Sequence, residues 1–215
     1  MSQPLSKERC LVLNTFVSVD LETTGLSSAN SEILQVAGWK IKDGVVTDRF
    51  NQFVKPVRYI TTNIQNITGI TPDMVADANG VDMVLCEFAE FCEDLPLLGY
   101  NLPFDYKFLC DIGSSFGIDF TMRKMRQGID VLNLCKHNYK IESYKLRDVA
   151  DYLGIHVTGQ EGFHRADFDS YITKLVYDRL RVDYGTKFEV STPSYLHKDD
   201  KKYGKVENKD ELSFT

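Results

Sequence analysis

The chain has 215 residues, of which 43% are hydrophobic and 12% aromatic, and its formal net charge at pH 7 is −6. This length and composition exclude an intrinsically disordered chain and fit a single domain with a sizeable core. The acidic balance argues against a protein that coats nucleic acid through its overall charge, but it is compatible with an enzyme whose acidic site is neutralised by divalent cations.

The first part of the chain predicts three consecutive β-strands. Apolar residues alternate over residues 10–21, and two further strand-like runs cover residues 32–41 and 45–54. The segment KDG at 42–44 is typical of a tight hairpin turn, and it joins the second and third predicted strands.

The rest of the chain predicts helices that alternate with strands. Two short helical pieces lie within residues 60–75; Gly69 interrupts them, and Thr71 restarts the helix with Pro72 in its first position. The later predicted elements are a helix over 81–95, a strand over 96–101, a helix over 103–117, a strand over 128–136, a helix over 143–155 and a helix over 165–183. This order predicts an α/β fold in which helices cover a mixed sheet.

The apolar periodicity stops near residue 186. Residues 186–215 contain six Lys against six Asp plus Glu, so this segment is balanced in charge and is not a basic arm. We therefore assign residues 1–185 to one domain and residues 186–215 to a polar, mixed-charge C-terminal tail.

The cysteines and the apolar segments indicate the cellular compartment. The five cysteines are odd in number and form no C-x-x-C pair, which argues against a disulfide framework and against a cysteine zinc site. The apolar run that starts at Cys10 is interrupted by Asn14 and Thr15 and is too short and too polar for a signal peptide or a membrane span. We therefore expect a soluble cytoplasmic protein with no membrane partner.

Two carboxylates stand at the end of the first predicted strand, in the segment VSVDLETTGL at 17–26. The apolar residues of this strand occupy alternate positions, so Asp20 and Glu22 share its opposite side. Like charges at the end of an apolar strand repel each other and resist desolvation. Their burial requires a compensating cation.

Three further residues have chemistry that suits an active site. Asp105 lies at the border of the buried face of its predicted helix, and Asp169 points toward the apolar stripe of the last helix. His164 comes just before that last helix, in a loop that contains glycine. Any one of these residues alone is most often a solvated, capping or hydrogen-bonded side chain, so only the three together indicate an active site.

Taken in order, three segments resemble the motifs of the DEDDh exonucleases, the DnaQ-like group that contains the epsilon proofreading subunit of bacterial DNA polymerase III. These segments are DLETTGL at 20–26, YNLPFDYKFL at 100–109 and HRADFD at 164–169. The four residues between His164 and Asp169 match the histidine subclass of this group.

Other positions extend or depart from this resemblance. The segment NITGITPDMV at 66–75 resembles the connector that the family carries after its third strand. Tyr100 stands where many relatives have His, and Asp167 stands where an apolar residue is common. Neither departure touches the five key positions, so they bear on specificity and not on the chemistry.

The resemblance implies a ribonuclease H-like fold, in which a mixed sheet of three antiparallel strands plus parallel strands is flanked by helices. It implies two divalent cations, Mg²⁺ or Mn²⁺, held by four carboxylates, Asp20, Glu22, Asp105 and Asp169. His164 would be the general base. The residues implied to contact the terminal nucleotide are Thr23, Thr24, Leu26, Asn101 and Phe104. The implied reaction is stepwise 3′-to-5′ hydrolysis of phosphodiester bonds, which releases nucleoside 5′-monophosphates.

Two alternative functions stay open. RNA-trimming relatives carry the same five residues, so the first alternative is a 3′-to-5′ exoribonuclease. The second is a non-catalytic module that binds nucleic acid or a polymerase. We favour single-stranded or frayed DNA 3′ ends, in proofreading or repair, because DLETTGL and the connector look most like the polymerase-associated branch. The candidate protein partners are a DNA polymerase and, through ELSF at 211–214, a sliding clamp.

Overall fold

The structure is a computed structural model, and it describes residues 13–121, 128–155 and 165–185. Three parts of the sequence-based prediction lie outside the described residues: the first positions of the strand predicted over 10–21, His164, and the tail at 186–215.

Five strands form one mixed sheet. They are β1 (Phe16–Thr23), β2 (Ile33–Lys42), β3 (Val45–Phe53), β4 (Leu97–Gly99) and β5 (Ile129–Asp130). Their order across the sheet is β3-β2-β1-β4-β5. β2 pairs antiparallel with both β1 and β3, whereas β4 pairs parallel with β1 and with β5. This arrangement confirms the predicted mixed sheet of three antiparallel strands plus parallel strands.

Apart from α5, the helices of the described residues follow the predicted order. They are α1 (Thr62–Thr68), α2 (Pro72–Val75), α3 (Val81–Cys92), α4 (Leu102–Ser115), α5 (Val131–Asn138), α6 (Leu146–Tyr152) and α7 (Ala166–Tyr184). Gly69 ends α1 in the left-handed conformation with φ 69°, as the predicted interruption requires. None of the described helices combines the length and the apolar character that a membrane span requires.

The strand predicted over residues 128–136 is wrong for most of its length. Only two residues pair as β5, and the helix α5 begins directly after them. The buried residues of this helix are Val131, Leu134 and Cys135, and their spacing is that of one face of a helix. The Asp130 side chain accepts a hydrogen bond from Leu132 N and so starts the helix.

Helices cover both faces of the sheet, and this determines where the carboxylates point. On one face, α3 and α4 pack against the apolar side of β1, which consists of Val17, Val19 and Leu21. On the other face lie α5, α6 and α7, and there Ser18 Oγ donates to the carbonyl oxygen of Ser170 in α7 at 2.6 Å. Because side chains alternate along a strand, Asp20 and Glu22 share this second face with Ser18.

Candidate active site

Three of the predicted carboxylates converge where β1 ends and α7 begins. Asp20 and Glu22 lie near the end of β1, and Asp169 lies in the first turn of α7. Each residue offers a carboxylate oxygen, and these three oxygens all lie within 4.8 Å of one another. All three residues are half-buried, so the group is shielded from bulk water without being sealed.

Asp105 joins this group from the other side of the sheet. It lies in the first turn of α4 and is only 2% exposed. Its Oδ1 accepts a hydrogen bond from the backbone N–H of Leu21 at 3.1 Å, and Leu21 stands between Asp20 and Glu22 in β1. The structure therefore brings together all four predicted carboxylates, and the predicted general base His164 lies outside the described residues.

The four carboxylates repel one another in a partly desolvated site. Desolvation raises the pKa of Asp20 well above its ordinary value, and the charges of Asp105, Asp169 and Glu22 raise it further. Desolvation also raises the pKa of Glu22, to about 8, again with contributions from Asp169 and Asp105. An all-carboxylate donor set is the one that hard divalent cations such as Mg²⁺ and Mn²⁺ prefer. The residues present therefore fit divalent metal binding, which would relieve the repulsion.

The sequence model of the exonuclease family matches residues 17–177 of this chain. The chain belongs to the exonuclease family. The membership confirms the resemblance to DnaQ-like exonucleases and places the chain among the nucleases. The matched range contains the four carboxylates and the segment in which His164 lies.

Relatives and solved structures agree with this assignment. The PolC-type DNA polymerase III of Thermotoga maritima is 36% identical over 185 residues, which are 86% of this chain but only 13% of that polymerase. A structure of Escherichia coli exonuclease I in complex with a dA16 oligonucleotide has a TM-score of 0.67 at 21% identity, over 79% of this chain and 41% of that one. A structure of exonuclease X in complex with 5′-overhanging duplex DNA has a TM-score of 0.60 at 20% identity, over 82% of this chain and 98% of that one. The two solved structures share the ribonuclease H-like fold of this exonuclease domain.

Polar side chains of the sheet hold the start of α7, and these contacts were not predicted from the sequence. Besides Ser18, the fully buried Gln35 of β2 accepts from the backbone N–H of Ala166 through its Oε1 at 3.3 Å. Trp39 Nε1 donates to the carbonyl oxygen of Asp167 at 2.8 Å. The available signal was the presence of single polar residues inside apolar strands, because a buried polar group requires a partner.

The predicted substrate-binding residues line the loop after β1 and the start of α4. Thr23 Oγ1 donates to the carbonyl oxygen of Gly25 at 2.7 Å, and Thr24 Oγ1 accepts from Glu32 N at 2.9 Å. These two hydroxyl groups therefore shape the loop. Leu26, in the same loop, is 89% exposed.

On the α4 side, Asn101 is the residue before the helix. Phe104 lies in the first turn, with its ring centroid 4.9 Å from that of Phe108. An exposed apolar side chain on one element and an aromatic ring on the other are surfaces on which a nucleobase can pack.

Arg165 is a further residue of this site that the sequence analysis did not assign. It precedes α7, and its guanidinium carbon lies 5.5 Å from the centre of the Phe53 ring. Its positive charge partly opposes the rise in the pKa of Glu22. The side chain therefore places a cation beside an otherwise negative site.

Proposed function

We propose that this chain is a divalent-metal-dependent exonuclease that shortens DNA from its 3′ end and releases nucleoside 5′-monophosphates. The observation that carries the proposal is the convergence of Asp20, Glu22 and Asp169 within 4.8 Å, next to the buried Asp105. Acids that lie this close together in a partly desolvated site repel one another, so their convergence favours a catalytic metal site.

We infer that the four carboxylates hold two cations, Mg²⁺ or Mn²⁺. When bound, such ions lower the pKa of a coordinated water and neutralise the charge on the phosphodiester that is cleaved. Asp105 would bring to this site a carboxylate whose orientation is already fixed by the N–H of Leu21. Asp169 would bring the carboxylate that the anchored start of α7 presents to β1.

We assign the remaining roles from the family motifs. His164 would accept the proton of the attacking water, since a neutral imidazole is a base near physiological pH. Thr23 and Thr24 would hold the loop that receives the 3′-terminal nucleotide, and Leu26 and Phe104 would pack on its base. Asn101 would position the start of α4 or contact the substrate.

We favour DNA over RNA, and single-stranded or frayed 3′ ends over duplex. Support for DNA comes from the names of the relatives, which are DNA polymerases, and from the two solved neighbours described above, which hold DNA. The dA16 complex of exonuclease I supports single-stranded ends, whereas the exonuclease X complex holds a 5′-overhanging duplex. The matched region is a small part of those polymerases. We therefore also propose, and do not take from the relatives as shown, a proofreading or repair role in the cytoplasm and an association with a DNA polymerase or a sliding clamp. We also keep the division into an exonuclease domain at 1–185 and a tail at 186–215; the family match ends at residue 177.

The experiment that tests this function is cleavage of matched 5′-labelled DNA and RNA oligonucleotides with Mg²⁺, with Mn²⁺ and with chelator. We expect metal-dependent shortening of DNA from the 3′ end, and loss of that activity in Asp169→Asn and His164→Ala. Asp48→Asn is the matched control, because Asp48 is an exposed acid on β3, away from the site.

The other outcomes of this experiment have defined meanings. Cleavage of RNA alone would keep the metal mechanism and reject the DNA preference. No cleavage of either polymer by the folded protein, at any metal concentration, would reject the enzyme and leave a nucleic-acid-binding or polymerase-binding module.

A further inference from the structure

The helix that carries Asp105, α4, begins in a turn whose own side chain does not cap the helix. Asn101 precedes α4 in the left-handed conformation, with φ 67° and ψ 44°, which is uncommon for a residue other than glycine. Its side chain makes no capping hydrogen bond, although the first N–H groups of a helix need acceptors. The turn is also tight, because a Cβ added to Gly99 would lie 3.3 Å from the Leu102 Cα.

The acceptor for this turn comes from the neighbouring strand. β4 and β5 are parallel, with Gly99 opposite Asp130, so α4 and α5 begin side by side. Asp130 Oδ1 accepts from Asn101 N at 3.0 Å and from Leu132 N at 3.2 Å. One carboxylate therefore serves the N-termini of two helices.

The surroundings of Asp130 suit this double contact. Burial raises its pKa, while backbone N–H groups of both helices stabilise its charged form. A negative charge at a helix N-terminus is favourable because the N–H groups there are unpaired and the helix dipole is positive. Here two such ends meet at one side chain, so the carboxylate is built into the turn.

We propose that Asp130 is a positioning residue of the exonuclease site, which fixes the turn into α4 and thereby places Asp105 against Leu21. The inference rests on the proposed function. Asp130 is not part of the three-residue carboxylate group at β1 and α7, and its Oδ1 is occupied by two helix N-termini. It acts through Asp105 and contacts neither metal nor substrate.

The consequence is a specific kinetic change. Without Asp130, the left-handed Asn101 loses its acceptor and the first turn of α4 is free to shift, so Asp105 presents its carboxylate less accurately. Residues that orient metal ligands typically contribute about tenfold to a hundredfold in metal affinity or activity. We expect Asp130→Ala to lower kcat by at least about tenfold and to raise the Mn²⁺ concentration for half-maximal activity.

The test compares Asp130→Ala and Asp130→Asn with the wild-type chain, all in the 3′-end cleavage assay with Mn²⁺ titration and at a temperature at which each is folded. Asp130→Asn keeps an acceptor oxygen and is expected to recover most of the loss. Thr61→Ala is the matched control, because it removes the N-cap of α1, where Thr61 Oγ1 accepts from Ile64 N at 3.4 Å. The control is expected to leave the Mn²⁺ dependence unchanged.

Two results would overturn the inference. One is unchanged kcat and Mn²⁺ dependence in Asp130→Ala. The other is an equal loss in Asp130→Ala and Thr61→Ala with unchanged Mn²⁺ dependence, which would show a general effect of stability.

A second measurement does not depend on the proposed function. Hydrogen exchange at the Asn101 and Leu102 amides should accelerate by at least about tenfold in Asp130→Ala, while the amides in the middle of α7 keep their wild-type rates. If the wild-type chain cleaves nothing, the proposed function fails, and the exchange rates alone decide whether Asp130 holds the turn. Unchanged exchange at both amides would reject the positioning role.

Discussion

Helices α4 and α7 each bring one aspartate to the end of β1, but the sheet holds them differently. The start of α7 is held by side chains of the sheet that bond to its backbone: Ser18, Gln35 and Trp39. The start of α4 meets β1 through the Asp105 carboxylate itself, which accepts from Leu21 N. In the described part of the chain, α7 therefore has several anchors that are separate from its proposed metal ligand, whereas α4 uses that ligand as an anchor.

This difference has a physical consequence for substitutions. A helix with several independent anchors tolerates the loss of one, because the others still restrict its position. A helix that is anchored through its proposed metal ligand couples structure to metal binding. Substitutions at the strand end where both helices meet, and at the anchors of α7, test this contrast.

The largest effect is expected for Asp20→Asn. The carboxylates from both helices act electrostatically on Asp20, and its loss should lower the exonuclease rate by more than about a hundredfold, the upper end for residues that only orient metal ligands. The same change removes an acid whose pKa is raised well above its ordinary value by burial and by neighbouring charges. The metal-free variant should therefore melt at a higher temperature than the metal-free wild type at pH 8. Activity assays and thermal melts in chelator measure the two effects. A melting temperature that falls as activity is lost would contradict the repulsion.

A pH-dependent stability difference should come from Glu22, whose pKa is raised from 4.5 to about 8. An acid with a raised pKa in the folded state binds its proton more tightly when folded, so its contribution to stability is fully present below about pH 4.5 and is lost as the pH rises through about 8. In urea unfolding of the metal-free proteins, the free energy of unfolding of Glu22→Gln should therefore rise relative to that of the wild type as the pH increases across this range.

Divalent metal sharpens the same comparison. Mn²⁺ binds the ionised carboxylates, so it should stabilise the wild type more at pH 8 than at pH 5, and it should stabilise Glu22→Gln less than the wild type at pH 8. Asp48→Asn, the exposed control, should follow the wild type throughout. If the difference in unfolding free energy between the wild type and Glu22→Gln stays constant with pH, the raised pKa of Glu22 is rejected.

An intermediate effect is expected for Gln35→Ala at the anchor of α7. Gln35 is fully buried, and it bonds both to Ala166 N and, through Nε2, to Asn51 Oδ1 at 2.7 Å. Removing it leaves a buried N–H without its acceptor, which costs about 1–3 kcal/mol of unfolding free energy. Because Ser18 and Trp39 still hold α7, activity per folded molecule should fall by less than about tenfold.

Asn51→Ala is the control for Gln35→Ala, because it removes only the second of the two bonds. Chemical denaturation measures both variants. Equal losses of stability would show that the bond to Ala166 contributes nothing, and α7 would then have fewer effective anchors than the contrast with α4 requires.

The same contrast explains how much could be predicted from the sequence. Asp20 and Glu22 could be predicted because strand alternation is local, and Asp105 and Asp169 because helical spacing and the family motifs indicate them. The anchors Ser18 and Gln35 were missed because their partners lie 152 and 131 residues away, and a polar residue in a strand does not name its partner. The role of Asp130 was hidden because the residues around it were predicted as one long strand, whereas the chain turns there into α5.

The smallest effect is expected for the ion pair between Arg49 and Asp167, which also touches the start of α7. Arg49 Nη2 lies 2.5 Å from Asp167 Oδ2, with side chains 45% and 23% exposed, and the Arg49 guanidinium lies 5.0 Å from the centre of the Trp39 ring. Exposed ion pairs contribute about 0–1 kcal/mol because water and salt screen them. Asp167→Ala should therefore change the unfolding free energy by less than about 1 kcal/mol and leave kcat unchanged.

A double-mutant cycle with Arg49→Ala, measured by urea unfolding at low and high salt, isolates this pair. The coupling energy should shrink at high salt, since screening weakens a half-exposed pair more than a buried one. A large, salt-independent coupling accompanied by a fall in kcat would mean that α7 depends on a single contact as strongly as we propose α4 depends on Asp130. The two helices would then differ in which residues hold them but not in how many contacts they need.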